Sequence, residues 1–75
     1  MQDAQTKTTD TPQSPVDDAT YDLLQALTSK LEAIEAYEMY AQDEGVSDLF
    51  ERLGRDELKH AELLLQALKE RLASK

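Results

Sequence analysis

Two residues of this 75-residue chain, Glu57 and His60, carry the pattern best suited to chemistry. They stand three apart. At about 100° per residue, both fall among Phe50, Leu53, Ala61 and Leu64 on the apolar side of one helix. A carboxylate oxygen and an imidazole nitrogen at this spacing converge on one spot. Bundle-core di-iron sites draw that same pair from a single helix. An ordinary core or surface hydrogen bond has the same spacing, so the pair alone does not separate a metal site from a structural contact. His60 is the only histidine, and the sequence has no cysteine. Thiolate metal sites, disulfides and Cys–His nucleophiles are therefore excluded, and there is no Gly-rich phosphate loop. Tyr37 and Tyr40 at helical spacing read as core or interface aromatics, as do Tyr21, Met39 and Phe50.

The elements that must position these residues are helices. Residues 1–14 are rich in Thr, Gln and Asp without apolar pattern, the composition of a disordered tail. Ser14-Pro15-Val16-Asp17 marks a helix start, with Ser14 as cap and Pro15 in the first position, or with the start displaced to Asp18 or Thr20. Leu23, Leu24, Leu27, Leu31, Ile34, Tyr37 and Ala41 then recur at three- and four-residue steps. The pattern predicts a first helix reaching Glu44 and stopped by Gly45. Ser47 is the expected cap of a second helix. Its stripe is Leu49, Phe50, Leu53, Glu57, His60, Ala61, Leu64, Ala67 and Leu68. A connection of two or three residues forces an antiparallel hairpin. The expected class is all-α: a long helical hairpin over residues 15–75. Two helices leave much of both stripes uncovered, so the hairpin is expected to self-associate as a homodimer or higher oligomer, the dimer forming a four-helix bundle.

Charge narrows the partners. The net charge of −8 is uneven: −2 over residues 1–17, −6 over residues 18–44, and zero over residues 48–75. An acidic chain repels phosphate backbones, so nucleic acid is not an expected partner. An acidic face suits cations and equally keeps a small protein in solution. No apolar run approaches the ~20 residues that span a bilayer, and the N-terminus has no apolar segment of a secretory signal. The expected location is the cytoplasm.

The segment Leu31-Glu32-Ala33-Ile34-Glu35-Ala36-Tyr37-Glu38-Met39-Tyr40-Ala41 is followed by Glu44-Gly45, Leu49-Phe50 and Glu57-Leu58-Lys59-His60-Ala61. Over about residues 22–68 the chain resembles the ferritin-like superfamily, closest to rubrerythrin-like hairpins and the short encapsulated ferritins. The resemblance implies two hairpins paired into a four-helix bundle, with an iron site of ferroxidase type between them. It also implies, for some members, enclosure in an encapsulin-type shell. The family's first helix reads Glu-x-x-Ala-x-x-x-Tyr, and that Glu is an iron ligand. With Ala33 and Tyr37 matched, the ligand position falls on Lys30. Three readings of Lys30 follow. It pairs with Glu57 in the cation's place. It snorkels outward, leaving Glu57 and His60 of two chains around a metal on the dimer axis. Or the register is displaced and a neighbouring acid serves, Glu38 being nearest the stripe and Glu35 further round.

The expected metal residues are thus Glu57, His60, Glu38 and Glu35, with iron as the cofactor. The leading functional expectation is iron binding, with ferroxidase activity or iron storage. The alternative is a metal-free assembly or adaptor module in which Lys30 replaces a ligand. A structural zinc held by two Glu and two His across a dimer axis is a third possibility.

Overall fold

The first helix begins where a carboxylate reaches back over its own first turn. Asp17 lies in extended backbone and accepts the Thr20 N–H at 2.9 Å, which makes it the N-cap. The structure, a computed structural model, describes residues 14–74. Helix α1 runs Asp18–Tyr40 and α2 runs Ser47–Ala73. The tail expected over residues 1–14 lies, apart from Ser14, outside the described residues. Ser14 does not cap the helix. Its hydroxyl accepts the Val16 N–H at 3.2 Å, one step upstream of the start. The start falls at Asp18 because Asp17 is held from two sides, by its own first turn and by Arg71 at the far end of α2.

α1 ends at Tyr40, four residues before the expected Glu44, and the connection is six residues, 41–46. The chain tightens into i→i+3 bonds there, Gln42 N–H to Met39 O and Asp43 N–H to Tyr40 O, both 3.1 Å. Ser47 explains the early stop. Its Oγ lies against the carbonyls of Ala41 and Asp43 and donates its one proton to Ala41. It therefore closes the first helix. The N-cap of α2 is Val46, without a side-chain bond. Beyond the turn, Phe50 packs on Tyr37 and Tyr40 with ring centroids 5.5 and 5.2 Å apart. Such aromatic contacts are worth about 0.5–1.5 kcal/mol beyond their buried area.

Gly45 has φ +94°, and a Cβ there would meet no atom within 4 Å. Space is not the constraint; backbone chirality is. Gly45→Ala is expected to lower stability by about 1–2 kcal/mol, read as a lower urea midpoint with unchanged slope.

One register runs the length of the pair. Tyr37 faces Phe50, Lys30 faces Glu57 and Asp17 faces Arg71, and the residue numbers of each pair add to 87 or 88. Gly54 faces Tyr37, and a Cβ there would sit 3.8 Å from Tyr37 Cβ, an ordinary packing distance. The core is thin. Ala61 and Leu68 are the buried apolar residues among those described, and Thr20 is buried at 2 % exposure. Leu24, Leu31, Leu58, Leu65 and Leu72 stay 39–53 % exposed. A two-helix layer has no second layer to cover them. No helix among the described residues is long and apolar enough to cross a membrane.

Candidate functional site

Halfway along the hairpin, the centre of each helix's inward side carries a charged residue. Lys30 comes from α1 and Glu57 from α2, and the shared register sets them level. Lys30 Nζ lies 2.9 Å from Glu57 Oε1. His60, one turn beyond Glu57, places Nδ1 3.3 Å from the same oxygen, a hydrogen bond in the tautomer that carries its proton on Nδ1. Glu57 is the most covered of the three, with its side chain 19 % exposed against 35 % for Lys30 and 56 % for His60. Lys30, partly covered, turns inward and delivers its charge to the carboxylate. The Lys30 hydrogen bond, and then the His60 bond, hold the Glu57 carboxyl below its ordinary pKa, against a smaller opposing effect of desolvation. This is the geometry of the first of the three Lys30 readings.

The other expected ligands lie elsewhere. Glu38 stands eight residues past Lys30, about 12 Å further along the helix. It lines an open groove of about 430 Å³ near the turn, with Ile34, Phe50, Glu51, Arg55 and Leu58 among its walls. Glu35 is exposed and about 140° round α1 from Lys30. Among the described residues, no three His, Asp or Glu side chains come together as a metal-holding group. Glu57 and His60 meet as their spacing predicts; Glu38 and Glu35 do not join them within one hairpin.

Whether iron fits can be judged from the donors. A di-iron bundle site takes Glu-x-x-His from one helix of each hairpin and a Glu from the other. This hairpin supplies the first part. At the place of the second it presents the Lys30 ammonium, seated on Glu57 Oε1. A cation there would meet a resident positive charge and an oxygen that already accepts two partners. The residues do not fit the group.

A second polar cluster, at the open end of the hairpin, is not marked by any spacing within one helix. Arg71 Nη2 donates to Asp17 Oδ2 at 2.9 Å, and Arg71 Nε donates to Thr20 Oγ1 at 3.3 Å. Arg71 above all, then the Thr20 side chain and N–H, hold the Asp17 carboxyl well below the usual carboxylate range. The signal was present. A Lys30–Glu57 register carried thirteen residues toward the chain's start sets position 17 opposite 70 or 71, and only Arg71 there is a cation.

Compared with known proteins, the chain matches no family model, no curated protein and no solved structure.

Proposed function

We propose that this chain is a metal-free helical-hairpin assembly module, a ferritin-like hairpin in which Lys30 stands where iron-binding members hold a ligand and its cation. The observation that supports it is the 2.9 Å Lys30–Glu57 pair across the middle of the hairpin. The ammonium supplies internally the positive charge that a metal would bring to Glu57 and His60. A partly covered ion pair adds little net stability, because desolvation offsets much of the attraction. Its use is in selecting one offset between helices. Sliding α2 by one turn, about 5.4 Å, separates Lys30 from Glu57 and Arg71 from Asp17 together. The module's work is then to present a fixed apolar face for assembly with further copies of itself.

The test is iron stoichiometry. Purified full chain is incubated with excess Fe(II) in air, desalted, and analysed for iron and helicity. Far less than one iron per chain, with helicity intact, is the expected result. About one iron per chain, lost in Glu57→Ala, would overturn the proposal in favour of a di-iron site shared by two hairpins. Lys30→Glu, which sets a second carboxylate beside Glu57 and His60 within one hairpin, is the variant expected to gain iron.

A further inference from the structure

The hairpin has two open sides, and their chemistry differs. Glu38 of α1 and Glu51 of α2 line the same groove. Seven-residue steps from them keep to one side of each helix. Those steps reach Leu31 and Leu24 on α1, and Leu58, Leu65 and Leu72 on α2. All five leucines therefore share one side of the hairpin, and all are 39–53 % exposed. The other side carries Ala26, Ala33 and Tyr40 of α1 with Leu49, His60 and Leu63 of α2, a mixed surface in which alanine, tyrosine and histidine interrupt the leucines. Around α2, His60 lies about 160° from Leu58. The large aliphatic surface and the open imidazole thus face opposite ways.

Resting on the assembly reading above, we infer that a second copy of this chain docks on the five-leucine side, leaving His60 outside the interface. The size of the surface identifies the occupant. The side is about 35 Å long and two helices, roughly 20 Å, across; this gives about 700 Å², close to the ~800 Å² per partner of a standard stable interface. A two-fold interface is made by one patch meeting itself, so it must be self-complementary. The centre is leucine, which packs against leucine. The edges and the turn end carry both signs, Glu35 and Glu38 on α1 and Glu51, Arg55 and Lys69 on α2, all exposed. Glu38 and Glu51 in line with the leucines would repel an anionic lipid surface, and Arg55 and Lys69 would repel a purely basic partner, whereas a second copy brings both signs. This docking also explains the fate of the Glu57–His60 pair: each Glu57 stays between the helices of its own hairpin and each His60 turns to an outer side of the bundle, so the two pairs do not meet on its axis.

The chain has no cysteine, so a single introduced thiol reports one position. Leu65→Cys samples the leucine side. Leu49→Cys samples the His60 side from a comparable starting exposure, 51 % against 41 %. Sedimentation equilibrium of the unmodified chain first fixes the concentrations at which it is dimeric and monomeric. In the dimer range, a maleimide should react about tenfold more slowly with Leu65→Cys than with Leu49→Cys, thiol reactivity following access. On dilution the two rates should converge. Leu58→Cys replaces Leu65→Cys if the latter loses helicity. Protection of Leu49→Cys instead would overturn this inference and leave the assembly reading standing. A chain that stays folded and monomeric at all concentrations would overturn both.

Discussion

Leu68→Ala is expected to lower stability by about 2–4 kcal/mol, the cost of removing a covered leucine from a site that closes only in part. Leu68 is 7 % exposed, the larger of the two buried apolar side chains among the described residues; the other is Ala61, one heptad earlier on the same line of α2. Leu68 is thus the main apolar tie between the helices at the open end of the hairpin. The loss is a large part of the ~5–15 kcal/mol that holds an ordinary domain together. It should appear in circular dichroism as a lower urea midpoint and an earlier thermal transition. Leu63→Ala is the control. Leu63 is 70 % exposed, and its truncation is expected to change stability by less than about 0.5 kcal/mol. Equal losses in both variants would mean that burial within one hairpin does not set the stability.

How far the sequence carries this picture depends on which interaction decides each feature. Apolar periodicity placed both helices, and the Glu57–His60 contact followed from spacing on one helix. The end of α1 did not follow. Gly45 is a good stop signal locally, but the helix ends earlier, because Ser47 reaches back to Ala41 and Phe50 folds over Tyr37 and Tyr40. Those contacts join residues on both sides of the turn, and no one-helix pattern contains them. Ser47 shows the limit well: a hydroxyl at that place caps either helix, and geometry gave it to the first. Lys30 admits three readings in sequence because a long flexible side chain reaches inward or outward from the same Cα. The Arg71–Asp17 contact needed the register, and the register needed one fixed pair to start from.

Lys30→Glu is expected to reverse the pH dependence of stability in metal-free, chelator-containing buffer. In the native chain the folded Glu57 carboxyl has a lowered pKa, for which Lys30 is the first cause and His60 the second. A lowered folded pKa stabilises above the unfolded pKa, and that contribution is lost as pH falls through the folded value. Its removal therefore belongs to the acid side of the carboxylate range. In the variant two carboxylates face each other where ammonium and carboxylate stood, and one of them is pushed up. A raised folded pKa contributes stability at low pH that is lost as pH rises. Relative to the native chain, the variant should be most deficient near pH ~7 and should recover toward pH ~4, as like charges are neutralised. Urea midpoints across that range read the difference directly. Parallel profiles for the two chains would show that Lys30 and Glu57 do not interact in solution.

The Arg71–Asp17–Thr20 contact makes the molecule a rod with unlike poles. One pole is a continuous turn; at the other, two strands of chain leave side by side, pinned by a guanidinium. Whatever is joined ahead of Asp17 and whatever is joined behind Ser74 must depart from that same pole. Paired fluorophores or paired binding modules attached there would be held within a few nanometres of each other, and pulling on the two attachments would load the clasp in an unzipping geometry before any helix is stretched.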